Sequence, residues 1–366
     1  MIRFDDVTKV YPDGARAVDG VSFTIDEGEC VVFVGPSGCG KTTTLKLVNQ
    51  LLAPTSGRIF VGGQDIAARD PIALRRGIGY VIQDVGLLPH MTVIENVGLV
   101  PRLLGWPRPR ILERARELLD LVGLPPVEFA AKRPHQLSGG QRQRVGVARA
   151  LAADPPVILM DEPFGALDPV TRAQLQDEFL RLRTRVRKTI LFITHDIDEA
   201  VRLGDRIAVM RAGQIAQLAP PAEVLRRPAD EFVRQFVGQD RAVKLLKLAR
   251  VQGLLERRIA KASTDDDVGA ARRALQDAGS DTLAVVGPDG AFHGVLAAAD
   301  LEGRAGLVGR LEPRPHPTTV GEQSLHDAMT TMLGEGVAWL PVVDAAGRPI
   351  GVVTMSALAR VMGPRS

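Results

Sequence analysis

Apolar and polar residues alternate over Ile2-Arg3-Phe4 and again over Gly20–Ile25, which predicts two strands, with Asp26-Glu27-Gly28-Glu29 as a hairpin turn. Val32-Phe33-Val34 is apolar throughout. It ends in a glycine-rich turn, after which Thr42–Gln50 has a helical pattern. Ser56–Gly63 reads as a further hairpin, and Ile78–Ile82 as a buried strand that stops at Gln83. Residues 101–135 read as helical, with Ile111, Leu112, Ala115, Leu118, Leu119 and Val122 on one face. Leu137–Gln141 opens another helix. Val157–Met160 and Thr189–Thr194 are apolar runs that suit strands buried on both faces of a parallel sheet. Strands alternating with helices predict an α/β fold for residues 1–238.

The last third changes character. Residues 239–262 read as a basic linker helix in which Arg241, Lys244, Lys247, Arg250, Arg257, Arg258 and Lys261 interleave with leucines. Such a helix can lie near an anionic lipid surface or serve as a solvated connector. From residue 263 the chain repeats itself with a period of about 57 residues. Thr282–Val286 corresponds to Trp339–Val343, Gly290 to Gly347, Gly294-Val295-Leu296 to Gly351-Val352-Val353, and Leu301 to Leu358. Each copy, 263–310 and 318–362, reads as helix, strand, turn, strand, helix.

At 366 residues and 45% hydrophobic content the chain can bury the cores of two or three domains. Its formal charge is only +3, so scattered arginines are read as solvated faces and no nucleic-acid partner is expected. Cys30 and Cys39 have no metal-ligand spacing, which fits a reducing compartment. The N-terminus lacks a signal-peptide pattern and no apolar run approaches membrane-span length. Leu87–Val93, by contrast, reads as an exposed apolar segment suited to a protein partner.

The strongest chemical signal is Gly35-Pro36-Ser37-Gly38-Cys39-Gly40-Lys41-Thr42-Thr43. The spacing of Gly35, Gly40, Lys41 and Thr42 is that of a phosphate-binding loop. Glycines let the backbone wrap an anion, and the following helix points unpaired N–H groups at it. Lys41 reaches β/γ-phosphates and the Thr42 hydroxyl can hold Mg²⁺, so the stretch binds a nucleoside triphosphate such as ATP. Tyr11 can stack on a base or serve as a half-buried strand aromatic. Gln83, at the end of a central strand, suits a Mg²⁺ or water contact. Ser138, as an N-cap before Gly139, Gly140 and Gln141, makes a second helix terminus able to meet an anion. Asp161 and Glu162 close an apolar strand: the first to hold Mg²⁺, the second to polarise the attacking water. His195, also at a strand end, is placed on the γ-phosphate.

These motifs, in this order, resemble the nucleotide-binding subunit of ABC transporters over about residues 1–238. The resemblance implies a RecA-like core with antiparallel β and helical subdomains. It makes Gln83 the Q-loop residue, Leu137–Gln141 the signature, Asp161 and Glu162 the Walker B pair, Asp168 the D-loop residue and His195 the switch. It also implies a homodimer in which Ser138 and Gly140 of one copy meet the γ-phosphate held by the other copy's Lys41. Residues 83–96 and 232–241 resemble the glycine betaine/carnitine/choline importer class, which implies permease subunits, a substrate-binding protein and a place at the cytoplasmic face of the cell membrane.

The repeat resembles a tandem pair of CBS modules, an α+β unit that often senses ligands. The nucleotide pattern of such modules is half present in each copy: Ala297 with Asp300, then Thr354 with Ala357. A nucleotide or cyclic dinucleotide at the pair, an ionic-strength response, and plain dimerisation all stay open. Outside this class, an importer for another small solute and a soluble ABC ATPase acting on DNA or ribosomes are the alternatives. The latter normally carries a coiled coil, zinc modules or a second cassette, and none of these patterns is present.

Overall fold

The computed structural model describes residues 1–165, 167–256 and 259–362. Ala166 of the D-loop stretch, the basic pair Arg257 and Arg258, and the tail from Gly363 lie outside them. The chain divides into two units, Met1–Gly238 and Gln239–Ser366.

Among the described residues the first unit contains ten strands: β1 (Ile2–Val10), β2 (Arg16–Ile25), β3 (Cys30–Val34), β4 (Ser56–Val61), β5 (Gln64–Asp65), β6 (Ile78–Val81), β7 (Val157–Asp161), β8 (Thr189–Ile193), β9 (Arg206–Arg211) and β10 (Gln214–Ala219). Six form one sheet in the order β10-β9-β3-β8-β7-β6, parallel except for β10. Every residue of β3, β7 and β8 is buried, because helices and a second sheet cover both faces. β8 lies between β3 and β7. The glycine turn after β3, Glu162 after β7 and His195 after β8 therefore leave one sheet edge side by side, where ligands of such sheets bind.

The second sheet is antiparallel, in the order β2-β1-β4-β5. Phe4 and Phe23 stack at 4.5 Å, and Phe23 meets Phe33 of the parallel sheet edge-on at 5.2 Å, so aromatic contacts join the two layers. The stretch 101–135 is not one helix. It forms helices at Leu99–Leu103, Arg108–Leu121 and Pro126–Phe129 and a 3₁₀ turn at Pro134–Gln136. Gly105, Pro107, Pro125 and Pro134 interrupt it, and Ala115, Leu118 and Leu119 bury the predicted face. The segment Leu87–Val93 is less exposed than its composition suggests: Leu87, Leu88 and Met91 are half-buried and Val93 is buried. Buried Asn96 pins it, donating to the carbonyls of Leu88 (3.1 Å) and Met91 (3.2 Å) and accepting from the Leu88 N–H (2.7 Å).

Among its described residues the second unit contains two three-stranded sheets, β11 (Lys261–Ser263), β12 (Thr282–Val286) and β13 (Phe292–Ala297), then β14 (Thr319–Val320), β15 (Trp339–Val343) and β16 (Pro349–Thr354). The hairpin pairings Thr282↔Ala297 and Trp339↔Thr354 are one pattern displaced by 57 residues (282 to 339, 297 to 354). The helices Val268–Ala278 and Leu325–Glu335 follow the same displacement. Each copy has its own core, and the Phe292 N–H donates to the Gly347 carbonyl (3.0 Å) between them.

The basic stretch departs from its reading as a linker helix. Only Arg241–Leu248 is α-helical, followed by a 3₁₀ turn at Val251–Leu254. Leu246 and Val251 belong to the core of the second repeat with Leu325, Met332 and Leu340. Lys244 is buried, with its ammonium 2.5 Å from Asp240. The leucines that suggested a lipid-facing stripe are occupied by protein.

Candidate functional site

Two backbone approaches force the shape of the glycine turn. A Cβ at Gly35 (φ +152°) would lie 2.3 Å from the Met210 carbonyl oxygen, and one at Gly40 (φ +111°) would lie 2.2 Å from that of Ala17. The turn then leads into the helix Lys41–Val48, whose N-cap Gly40 has no side chain to satisfy the first-turn N–H groups. Lys41 is buried and folds back, its ammonium donating to the carbonyls of Gly35 (2.8 Å) and Pro36 (3.0 Å). Cys39 is also buried, its sulfur 3.8 Å from that ammonium, so it packs beneath the loop. Ser37, Gly38 and residues 40–43, with Gln83, Glu162 and His195, line one cleft of about 440 Å³. Tyr11 reaches it indirectly, with its hydroxyl 3.2 Å from that of Thr43.

The acids are set differently from each other. Asp161 is buried at the end of β7, where burial raises its pKa while the hydrogen bond from the Thr42 hydroxyl (3.2 Å) opposes that rise. Glu162 is turned out of the strand by a left-handed backbone (φ +43°), held by its N–H donating to the Ile193 carbonyl at 3.0 Å. A non-glycine residue in that conformation persists only where the surroundings fix it. Its carboxylate lies 3.1 Å from Nδ1 of His195.

Thr42 and Asp161 set a hydroxyl and a carboxylate oxygen side by side, and Gln83 lines the same cleft. This oxygen set fits Mg²⁺, which keeps water and substrate phosphate as its remaining ligands. Among the described residues no group of three His, Cys, Asp or Glu could hold a metal by itself.

The signature residues and Asp168 are not among those lining this cleft. Ser138 caps the helix Gly139–Leu151: its hydroxyl accepts from the Gln141 N–H (3.2 Å), and the Gln141 side chain accepts from the Ser138 N–H (2.9 Å). Asp168 likewise caps Pro169–Val186, accepting from the N–H groups of Val170 and Thr171, and hydrogen bonds from the Thr171 side chain and then from those N–H groups draw its pKa down.

Two buried side chains near the site had no local pattern to reveal them. Buried Gln143, one turn beyond Gly140, donates to the Pro163 carbonyl just after Glu162. Glu199, on the helix after His195, is buried against Gln176.

Residues 18–165 match the family described as ABC transporter, and residues 308–363 match the CBS domain family. The chain is 44% identical to the glycine betaine/carnitine/choline transport ATP-binding protein OpuCA of Bacillus subtilis (strain 168), across 99% of this chain and 96% of that protein. It is 42% identical to the osmoprotectant import ATP-binding protein OsmV of Salmonella typhimurium (strain LT2), across 98% and 95%. Among solved structures, the dimeric ATP-binding cassette MJ0796 in a post-hydrolysis state bound to ADP and Pi superposes with a TM-score of 0.54. It is 37% identical, across 60% of this chain and 99% of that one. Among the described residues no helix is long and apolar enough to cross a membrane.

Proposed function

Since this chain belongs to the ABC transporter ATP-binding subunits of the glycine betaine/carnitine/choline class, we propose that it hydrolyses ATP to power import of a quaternary-amine osmoprotectant through a partner permease. The observation that carries the ATPase reading is the single cleft in which Lys41, Thr42, Gln83, Glu162 and His195 meet. The substrate class is supported by identity over nearly the whole chain to proteins named for that transport.

Lys41 and the loop N–H groups hold the β- and γ-phosphates, and Tyr11 packs beside the base. Thr42, Asp161 and Gln83 hold Mg²⁺, which when bound offsets charge on the phosphate oxygens. Glu162 takes a proton from the water that attacks the γ-phosphorus as the bond to the ADP oxygen breaks. His195 orients the Glu162 carboxylate and donates toward the γ-phosphate. Ser138, Gly139, Gly140 and Asp168 act on the ATP of a second copy, so ATP closes the homodimer and hydrolysis reopens it.

The dimer sits peripherally at the cytoplasmic face, on the permease, with a substrate-binding protein delivering the solute. The CBS pair regulates turnover. Asp300, whose carboxylate accepts from the Ala297 N–H (2.8 Å) and from Arg314 (2.8 Å), is already committed to donors of the chain itself, which favours a ligand at the interface of the pair. The deciding experiment is uptake of labelled glycine betaine by cells with and without this subunit, at low and raised osmolarity. Loss of uptake in the deletion supports the reading. Unchanged uptake in cells lacking other betaine systems moves the substrate to another solute and leaves the ATPase reading standing.

A further inference from the structure

We infer that Arg149 is a positioning residue for Gln83, latching the loop that carries Gln83 to the helix Gly139–Leu151; the inference rests on the ATPase reading above. The two guanidinium Nη atoms of Arg149 donate to successive carbonyls, Gly86 at 2.6 Å and Val85 at 2.6 Å. This is a forked, charge-assisted contact that only arginine can make. Its target is a backbone that would not hold its shape alone. Val85 is β-branched yet has φ +58°, and Gly86 follows at φ +57°.

The same helix seats Val85 from below. A Cβ added at Gly146 would meet Cγ1 of Val85 at 2.7 Å, so this position must be empty for Val85 to dock. Gly146 and Arg149 are three residues apart and share a helix face. On its other side the loop runs back two residues from Val85 to Gln83, which lines the ATP cleft. The helix that starts at Ser138 and the amide that faces the cleft are thereby tied through two residues of fixed backbone. When that helix shifts, Gln83 shifts with it. Releasing the latch leaves the phosphate loop intact and lets the Gln83 amide wander.

The test is a double-mutant cycle in steady-state ATPase assays on the full chain, using Arg149→Met, Gln83→Ala and the pair, with thermal melting as a check on folding. Each single change is expected to lower kcat about tenfold while KM for ATP moves less than about threefold, since misplacement rather than lost binding is the defect. The double change should be no worse than the poorer single, because both remove one function. Arg149→Lys, able to reach one carbonyl, should fall between.

Gly146→Ala displaces Val85 without touching the guanidinium. It should reproduce the kcat loss and the same lack of additivity with Gln83→Ala, and it decides the matter if Arg149→Met fails to fold. Multiplicative losses in an active chain, or a loss confined to KM, would overturn the latch alone. No turnover by the unmutated chain would overturn the ATPase reading and the latch with it.

Discussion

His195 Nδ1 and Glu162 Oε2 lie 3.1 Å apart, although 33 residues separate them in the chain. The contact exists because β7 and β8 are parallel neighbours that end together, with Asp161 paired to Ile193. Glu162 then leaves the strand in a left-handed conformation that turns its carboxylate toward the histidine. A carboxylate held by an imidazole, beside a buried lysine and a hydroxyl–carboxylate pair, is an arrangement for moving one proton next to a phosphate.

Replacing Glu162 with Gln removes the proton acceptor and leaves the shape. Hydrolysis should fall by at least about a hundredfold, as when a group acting in the transition state is lost, while ATP still binds. Light scattering with ATP present should report a dimer. A species that stays monomeric would count against the head-to-tail pairing.

Lys41→Ala takes away the cation seated over the Gly35 and Pro36 carbonyls. ATP should then no longer raise the melting temperature of the chain, since stabilisation by a ligand follows its affinity. An undiminished shift would mean that the nucleotide sits elsewhere.

Gly40→Ala places a methyl group 2.2 Å from the Ala17 carbonyl at a φ of +111°. The loop cannot accept it without moving, so the first unit should lose about 2–4 kcal/mol on chemical denaturation, in line with strain at a special backbone position. Gly38, where a Cβ meets nothing within 4 Å, should cost less stability when changed to Ala.

Burial raises the pKa of Glu199 above its ordinary 4.5, while hydrogen bonds from Thr194 and Gln176 offset part of the rise. A carboxyl with a raised folded pKa binds its proton more tightly folded than unfolded. It therefore costs stability above the raised value and stops doing so as pH falls toward 4.5. Glu199→Gln should melt higher than the unmutated chain at pH 8, with the gap closing as the pH is lowered through that window. A constant gap across pH would show that the residue does not titrate there.

Ending the chain after Gly238 follows the boundary between the two units. The shortened protein should fold and hydrolyse ATP, and any response to osmolarity or to a ligand of the CBS pair should vanish. An unfolded product, seen as loss of the cooperative melt, would mean that the two units depend on one another.

The patterns that short stretches carry were legible in the sequence by itself: the apolar strands β3, β7 and β8, the spacing from Gly35 to Thr42, the paired acids, and the 57-residue repeat. Each depends on a local period or a fixed turn, which the chain encodes within a few residues. Contacts across long separations were decided only by the tertiary structure. Arg149 and Val85 are 64 positions apart, and nothing near either residue names the other. The basic stretch at 241–254 shows the same limit: its leucine spacing specifies an apolar face, while the choice between lipid and the second repeat's core depends on which surface the fold brings against it. A sequence period states which side of an element is to be buried. Only the packing of the whole chain supplies the partner.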